Sequence, residues 1–460
     1  MRVHIAWAIG LLLAAAALYL PGLDRPFANS DEAIFAEMGC QMLAHHDPLT
    51  LRWQGEPQLL RPPGSVWPLA GAIALAGPSE RAIRSVVALE AAVGVALVFL
   101  LGAARYGTAV GACGAALLAT ADRYYVYARY IETDMLLTLL IVAAFLCWQR
   151  GWLYGWGACL GACLLTKQVV GALPLVLPAL DLLGRRPPPR RRLLGALGLA
   201  LALALPWHLF EWSQHGARFW DTFLLRNIGL RARDPMHGQH TTPLYYAHML
   251  WAREGPIVLV ALLGTFYAAV RRDGLLLVWL FAALVPLSLA ASRFDYYALI
   301  AYPALALAAA RVTTQGVPRL GPWLGAAVVA VSILGHIVPT RREQEPWDAQ
   351  MRGLSQIAGR VSRPYDLLVV IDQFAYSPRF YSQRYSIKIG LREQDDPGLP
   401  LLPGPVEPVA RLPALLAAHP RWFAITPKRD LFALHTLGTV YRVAESRDYL
   451  LLSSLRGPAP

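Results

Sequence analysis

Apolar runs of near bilayer-spanning length recur along this chain from residue 5 to about residue 338. They lie at about 5–21, 83–103, 108–121, 135–149, 152–166, 168–184, 193–210, 256–270, 275–291, 296–311 and 321–338. A helix of about 20 apolar residues crosses the hydrocarbon core of a bilayer. The pattern therefore predicts a polytopic α-helical membrane protein with about 11 transmembrane helices.

Composition also favours a membrane protein over a soluble enzyme. Only 16% of the 460 residues are charged, whereas soluble domains carry about 25%. The chain has 42 Lys and Arg against 30 Asp and Glu, a formal net charge of +12. Much of the arginine lies at the ends of apolar runs, which is typical of membrane topology and not of a nucleic-acid surface. The five cysteines indicate no disulfide framework.

The ends of the apolar runs predict which loops face which side of the membrane. The first run is either a signal peptide or an uncleaved helix, and the many later runs favour the helix. With the N-terminus in the cytoplasm, the inner connections are short and basic, at Arg105, Arg150, 185–192, Arg271-Arg272, and Arg311 with Arg319. The outer segments are then about 22–82, 122–134, 211–255, 292–295 and 340–460. Since basic loops stay inside, the 185–192 run is interpreted as a topology signal and not as a binding patch.

Three of the outer segments have structure of their own in this interpretation. Apolar residues recur at helical spacing over 31–46 and 217–230, which predicts amphipathic helices at the outer face. Strand composition appears in the tail at 365–372, 381–389, 422–426 and 440–452. We therefore expect a transmembrane domain over 1–338, with outer loops 22–82 and 211–255, and a soluble α/β domain over 339–460 on the outer face.

Two acidic positions near the predicted membrane surface are candidates for catalysis. Asp31 and Glu32 follow the first run, where a helix capped by Ser30 would place them in its first turn. A carboxylate there also suits a general base that takes a proton from an attacking hydroxyl. Asp134 lies at the mouth of a later run, and an ion pair with Arg129 is the structural alternative to a functional role.

Several cations are predicted to face outward, although basic residues usually stay on the cytoplasmic side of the membrane. Lys167 interrupts two apolar runs, and it requires a partner such as a phosphate or a carboxylate unless its side chain simply extends to the interface. The other outer cations are Arg61, Arg129, Arg226, Arg231, Arg233 and Arg293, with Tyr296 close to the last of them. Cations above an apolar bundle suit a lipid phosphate.

The sequence offers little support for a nucleotide or a metal. It holds neither GxxxxGK[ST] nor a GxGxxG between a strand and a helix. His45-His46 and His237 with His240 are candidate metal ligands, but no carboxylate or cysteine set accompanies them, which favours loop histidines. No cofactor is therefore indicated, and a divalent cation stays an open alternative.

Taken in order along the chain, these motifs resemble the type C glycosyltransferase superfamily of membrane enzymes. The branch is that of the lipid A aminoarabinose transferase and the protein O-mannosyltransferases, which use dolichyl-phosphate-mannose or a similar donor. The motifs are Asp31-Glu32, Arg61-Pro62-Pro63, Arg129 with Thr133-Asp134, Leu165-Thr166-Lys167, and Ser292-Arg293-Phe294-Asp295-Tyr296-Tyr297. The resemblance covers roughly residues 5–311.

The resemblance implies a multi-pass protein of the bacterial inner membrane with its active site on the periplasmic side. It implies inverting transfer of a sugar from a polyprenyl-phosphate-linked donor to a lipid, glycan or protein acceptor. By this resemblance Asp31 is the catalytic carboxylate, with Glu32 beside it and Asp134 as the second acidic residue. Arg61 and Lys167 would hold the donor phosphate. The further residues expected to bind the lipid phosphate or the sugar are Arg129, Arg226, Arg293 and Tyr296.

Four residues, at three places in the sequence, depart from the pattern of the aminoarabinose transferases. Leu60-Arg61 stands where an acidic residue and a lysine commonly precede Pro62-Pro63. Gln168 stands where glycine often follows the lysine, and Asp295 where a basic or neutral residue is common. The identity of the sugar and of the acceptor is therefore left open.

Two alternatives belong to other functional classes. A transporter or flippase for a lipid-linked substrate would also direct charges into a cavity. Such folds commonly contain inverted repeats, which are not apparent in this sequence. The remaining alternative is a non-catalytic membrane scaffold with an outer binding domain, and a transfer assay separates the enzyme from both.

Overall fold

The computed structural model describes residues 2–184, 188–230, 242–255, 257–316, 319, 321–337, 349–371, 376–390, 406–434 and 440–456. Its α-helices are α1 (Arg2–Tyr19), α2 (Ser30–Ala44), α3 (Val66–Ala76), α4 (Glu80–Tyr106), α5 (Thr108–Thr120), α6 (Asp122–Tyr127), α7 (Thr133–Gln149), α8 (Leu153–Thr166), α9 (Val176–Leu183), α10 (Arg190–His215), α11 (Ala217–Trp220), α12 (Tyr245–Glu254), α13 (Ile257–Val270), α14 (Gly274–Leu289), α15 (Tyr302–Arg311), α16 (Gly321–Ser332), α17 (Ala349–Val361), α18 (Pro378–Ser382) and α19 (Leu412–Ala417). Its strands are β1 (Arg52–Trp53), β2 (Glu56–Pro57), β3 (Leu367–Val370), β4 (Ser386–Gly390), β5 (Val406–Pro408), β6 (Trp422–Pro427), β7 (Tyr441–Glu445) and β8 (Tyr449–Ser453). Shorter 3-10 and π segments lie at Pro63–Ser65, Val169–Leu175, Asp221–Leu230, Asp295–Ala301, Val312–Gly316, Ile333–Ile337, Val409–Arg411 and Lys428–Leu434.

Every predicted apolar run coincides with helical structure. Within the described residues, the helical stretches long and apolar enough to cross a bilayer are Arg2–Tyr19, Glu80–Tyr106, Arg190–His215 and Asp295–Gly316. The remaining runs form shorter apolar helices, such as α7, α8 and α14. The exact number of transmembrane helices therefore stays a prediction.

Small residues let two of the apolar helices pack closely. Gly157 and Gly161 stand one turn apart on α8, where α10 crosses it. A β-carbon on Gly161 would lie 2.9 Å from the carbonyl oxygen of Ala200, and one on Gly157 would overlap the carbonyl of Ala196. This is the small-xxx-small packing that apolar helices use where lipid provides no hydrophobic driving force between them.

The chain forms two compact units. The first contains residues 1–23, 59–65 and 84–344, and the second contains 24–58, 66–83 and 345–460. The second unit includes much of the predicted outer loop 22–82 in addition to the tail. The predicted domain boundary at residue 338 stays a prediction.

Polar contacts explain why α2 and its flanks belong to the second unit. Glu37 on α2 is 2% exposed and pairs with Arg379 of α18 at 3.2 Å. The same carboxylate accepts the backbone N–H of Gln54 at 2.8 Å, and the N–H of Phe27 donates to the Tyr381 hydroxyl at 3.0 Å. Burial raises the pKa of Glu37, and the Arg379 guanidinium opposes that rise.

The second unit also contains a six-stranded mixed sheet in the order β5-β4-β3-β6-β8-β7. Strands β5, β4, β3 and β6 are parallel neighbours, whereas β8 runs antiparallel to both β6 and β7. Side chains alternate between its faces, so that Leu367 and Val369 pack with α19 and Leu368 and Val370 pack with α17. A sheet covered on both faces has the continuous apolar strands seen in β3 and β6.

Several local predictions are wrong in detail. The predicted strand 381–389 begins inside α18 and is extended only from Ser386. The predicted strand 440–452 is a hairpin, β7 and β8, because residues 446–448 form its turn. Helix α2 is present as predicted, but residues all round it are buried, including Glu32, Glu37 and Gln41, so it is not a two-faced surface helix.

Candidate functional site

The structure pairs the two motif residues Asp134 and Lys167 within the first unit. Asp134 lies in the first turn of α7 and is 1% exposed, and Lys167 follows the last residue of α8. The Lys167 ammonium lies 2.8 and 2.7 Å from the two carboxylate oxygens of Asp134. A carboxylate in a first helical turn is favoured by the helix dipole, and breaking such a buried pair typically costs about 3–5 kcal/mol.

The alternative ion pair between Arg129 and Asp134 is wrong. Among the described residues, the cation that pairs with Asp134 is Lys167. Arg129 donates instead to the Tyr125 hydroxyl at 3.0 Å and to the carbonyl of Gly22 at 3.4 Å, while its guanidinium covers the Tyr125 ring. Arg129 therefore fixes the segment that follows α1.

Two tyrosines cover the Lys167 ammonium. The nitrogen lies 4.3 Å from the ring centre of Tyr297 and 5.8 Å from that of Tyr296. The two rings are nearly perpendicular, with centres 4.9 Å apart. The Lys167 side chain keeps 19% of its surface exposed, so this cation is held by a carboxylate and an aromatic pair without being sealed off.

The Arg61 motif is anchored beside the end of α8. The carbonyl of Leu60 accepts hydrogen bonds from the side-chain amides of Gln168 and Asn227. Gly64 lies so close to α8 that a β-carbon would be 2.5 Å from the carbonyl oxygen of Leu165, which only glycine permits. Arg61 is thereby carried on a segment fixed to the residues around Lys167.

Asp295, one of the departures from the family pattern, is held by α6. Its carboxylate lies 3.0 Å from a guanidinium nitrogen of Arg123 and accepts the Tyr127 hydroxyl at 2.5 Å. Arg123 is also paired with its neighbour Asp122 at 2.6 Å. Burial and the Asp295 carboxylate raise the pKa of Tyr127 well above its ordinary value, so the phenol stays a donor.

The N-terminus of α6 is fixed in turn by Glu254, at the end of α12. The Glu254 carboxylate accepts the backbone N–H groups of Asp122 at 2.9 Å and Arg123 at 3.1 Å, and the Tyr302 hydroxyl at 2.8 Å. Burial raises the pKa of Glu254, and the two N–H groups oppose that rise. Sequence reasoning missed Arg123, Tyr127 and Glu254, although charges at the mouths of apolar runs were an available signal.

Asp31 and Glu32, in the second unit, have different surroundings. The Asn29 side chain caps α2 by accepting the N–H of Glu32 at 2.8 Å, so the cap is Asn29 and not Ser30. Glu32 is fully buried, and its carboxylate accepts the N–H of Ala28 at 2.8 Å, much as in a capping box. Asp31 is partly exposed, and its carboxylate makes no hydrogen bond within the described part of the chain.

Two other predicted site residues, Arg226 and Arg293, each bind a partner that is close in sequence. Arg226 pairs with Asp221 at 2.8 Å and is 52% exposed. Arg293 donates two hydrogen bonds, at 3.1 and 2.9 Å, to the carbonyl of Ser288. Arg231, Arg233, His237 and His240 lie outside the described residues. In the described ranges no cluster of three or more His, Cys, Asp or Glu side chains is arranged to hold a metal ion.

Comparison with known sequences gives a partial match. A family model described as dolichyl-phosphate-mannose-protein mannosyltransferase matches residues 60–210, which include Arg61, Arg129, Asp134 and Lys167. No individual curated protein sequence matches significantly.

Comparison with solved structures shows a similar fold over the whole chain. The crystal structure of ArnT from Cupriavidus metallidurans bound to undecaprenyl phosphate has a TM-score of 0.83 at 19% identity, covering 99% of both chains. The apo state of that protein has a TM-score of 0.78. The archaeal oligosaccharyltransferase AglB from Archaeoglobus fulgidus, with an inhibitory peptide and a dolichol-phosphate, has a TM-score of 0.56 at 13% identity, over 93% of this chain and 70% of its own. The resemblance of this chain to the type C superfamily is thereby confirmed.

Proposed function

We propose that this chain is an inverting glycosyltransferase that moves a sugar from a polyprenyl-phosphate-linked donor to an acceptor at the outer face of the bacterial inner membrane. The acceptor class is a lipid A-like lipid, a glycan or a protein. The family match and the ArnT-like fold support this reaction class, and the residues that surround Lys167 support the donor class.

The observation that carries the proposal is the setting of Lys167. Its ammonium is oriented by Asp134, covered by Tyr296 and Tyr297, and accompanied by the anchored segment that carries Arg61. A phosphate leaving group gains negative charge as its bond to the sugar breaks. Fixed cations in a partly desolvated site stabilise that charge most effectively. The cations Lys167 and Arg61 are therefore assigned to the donor phosphate.

The proposed chemistry is a direct displacement at the anomeric carbon. An acceptor hydroxyl oxygen forms the new bond, the bond to the phosphate oxygen breaks, and polyprenyl phosphate leaves with the electron pair. The acceptor proton passes to Asp31, whose carboxylate is partly exposed, whereas Glu32 is occupied by the α2 cap. Asp134 is assigned to orienting Lys167, and its direct catalytic role stays a prediction.

Tyr296 is assigned to the same phosphate subsite, because it covers Lys167. The substrate-binding roles of Arg129, Arg226 and Arg293 stay predictions. The donor phosphate is also a ligand for a divalent cation, so the assay below is run with and without a chelator.

The test is a transfer assay with purified protein in nanodiscs and synthetic polyprenyl-phosphate sugars. We expect wild-type protein to consume the donor, and Lys167→Ala to lower turnover about 100-fold or more, as loss of a transition-state charge contact does. Lys428→Ala is the control for loss of a lysine from an ion pair, because Lys428 pairs with Glu445 at an exposed position. The proposal is wrong if wild-type protein consumes no donor with an acceptor of any of the three classes. It is also wrong if the turnover of Lys167→Ala equals that of the control.

A further inference from the structure

We infer that Asp295 is a positioning residue: together with Arg123 and Tyr127 of α6 and Glu254 of α12, it holds the Tyr296–Tyr297 pair over Lys167 for recognition of the donor phosphate. This inference rests on the proposed function, because it assigns the phosphate to the Lys167 site. Asp295 departs from the family pattern, and its contacts with Arg123 and Tyr127 were not indicated by the sequence.

A short segment next to Asp295 carries the two tyrosines. Asp295–Ala301 is a single 3-10 stretch that leads directly into α15. Such stretches have poorer hydrogen-bond geometry than an α-helix and take their position largely from their surroundings. The orientation of Tyr296 and Tyr297 therefore depends on what holds the two ends of this segment.

The segment is held at its start by α6 and just beyond its end by Glu254 of α12. At the start, Asp295 is bound by Arg123 and Tyr127 of α6. Just beyond the other end, the hydroxyl of Tyr302 donates to Glu254, which also caps the N-terminus of α6. Asp295 is thus bound directly by α6, whereas Tyr302 is linked to the N-terminus of α6 through Glu254.

Asp295 also fixes the positions of the two tyrosine rings. Its carboxylate accepts the backbone N–H of Tyr296 at 3.0 Å, which fixes the first turn of the segment. The Tyr127 ring meets the Tyr296 ring edge-on, with centres 5.7 Å apart. Tyr296 in turn packs against Tyr297, the ring closest to the Lys167 ammonium.

The charge of Asp295 also bears on phosphate binding. A free carboxylate one residue from the tyrosine pair would repel a donor phosphate. The Arg123 guanidinium lies 3.0 Å from Asp295 but also pairs with Asp122 at 2.6 Å, so it offsets the charge of Asp295 only in part. The Asp295 side chain remains 23% exposed. The ion pair therefore orients the segment and reduces the negative charge beside the phosphate subsite, and removing either partner disturbs both orientation and charge.

The experiment compares Asp295→Asn with a matched variant elsewhere in the first unit. Asp273→Asn is the control, because Asp273 is a carboxylate of the same unit that also pairs with arginine, in its case with Arg105 and Arg311, and it is more buried than Asp295. Loss of a contact made equally in the ground and transition states raises KM and leaves kcat unchanged. We expect Asp295→Asn to raise the KM for the donor about 10-fold with kcat within about 2-fold of wild type, and Asp273→Asn to leave the donor KM unchanged.

A double-mutant cycle and a binding measurement complete the test. If Asp295 acts through Arg123, then Arg123→Gln combined with Asp295→Asn should weaken donor binding no more than either change alone, because the two share one contact. Binding of undecaprenyl phosphate itself, measured by native mass spectrometry, separates this inference from the proposed function. Wild-type protein that binds no undecaprenyl phosphate overturns both. If wild-type protein binds undecaprenyl phosphate but Asp295→Asn and Asp273→Asn lose equal affinity for it, the positioning role alone is overturned. The same follows if the losses of affinity in Arg123→Gln and Asp295→Asn add up in the double variant.

Discussion

Asp31 and Glu32 are adjacent in the sequence, yet they differ in what their carboxylates are free to do. Glu32 is fully buried and bound to a backbone N–H at the start of α2. Asp31 is partly exposed, with no hydrogen bond to its carboxylate in the described part of the chain. A general base needs a lone pair that can approach the attacking hydroxyl. At the residue scale, the surroundings of the two carboxylates therefore favour Asp31.

Replacing each carboxylate by its amide tests this assignment. Asp31→Asn keeps the shape of the side chain but removes its capacity to accept a proton, so turnover should fall about 100-fold or more with donor binding unchanged. Glu32→Gln should retain near-normal turnover and stability, because glutamine also serves in a capping box. The measurements are turnover with a polyprenyl-phosphate sugar and binding of undecaprenyl phosphate. Normal turnover in Asp31→Asn together with an inactive Glu32→Gln would move the base by one residue.

The sequence indicated the chemical character of the site better than its contacts. Asp134, Lys167 and Tyr296 were all singled out, because polar residues at apolar run ends are expensive unless they have a purpose. Asp134 and Lys167 form an ion pair although they are 33 residues apart, and the periodicity of a sequence does not indicate such a contact. The 3-10 segment at Asp295 depends on contacts from α6, which local sequence does not contain.

At the element scale, an ion pair joins the starts of two central strands of the sheet. Asp366 stands before β3, Arg421 stands before β6, and these strands pair in parallel with Leu367 opposite Trp422. Asp366 accepts two hydrogen bonds from Arg421, at 2.8 and 3.1 Å, and the N–H of Arg363 at 2.8 Å. Desolvation raises the pKa of Asp366, but the hydrogen bonds from Arg421 and Arg363 outweigh it and the pKa is lowered.

This geometry predicts a pH-dependent contribution to the stability of the sheet. Because the folded-state pKa of Asp366 is lowered, its contribution is present above the unfolded value of about 3.9 and is lost as the pH falls through the folded value. Asp366→Asn should therefore weaken β3 and β6 by about 1 kcal/mol at pH 7, which speeds amide exchange about 5-fold. The difference from wild type should shrink below about pH 4.

Hydrogen–deuterium exchange of peptides covering β3 and β6 makes this measurement on the full chain. Asp448→Asn is the control, because Asp448 is exposed and bonded to Gln350 away from the two strand starts. Equal exchange in both variants at pH 7, or a difference that persists unchanged at pH 3, would contradict the assignment.

The elements themselves were predicted unevenly, for physical reasons. Apolar length fixed the helices, since every predicted run carries one. Helix α3 was missed because its 11 residues are too few to span a bilayer and lie within a segment interpreted as an outer loop. The predicted strand 381–389 began too early, because Pro378 favours the first turn of a helix and α18 begins there.

At the scale of the whole molecule, the fold and the sidedness of the chain are separate questions. The likeness to ArnT covers 99% of the chain and shows the arrangement of the helices. The orientation in the membrane depends instead on where the basic residues lie, because positively charged loops are retained in the cytoplasm. The short basic connections include Arg150 and the 185–192 run, whereas the segments predicted to face outward include 22–82 and the tail.

Cysteine labelling of intact cells tests this orientation directly. In a variant that lacks the five native cysteines, Pro188→Cys reports on the basic run and Arg447→Cys reports on an exposed turn of the tail. A membrane-impermeant maleimide should label position 447 in intact spheroplasts and position 188 only after the membrane is opened. The physical reason is that moving a cluster of five arginines outward opposes both the membrane potential and the anionic inner leaflet. Labelling of position 188 from outside would reverse every loop assignment and place Lys167, with its proposed donor phosphate, on the cytoplasmic side.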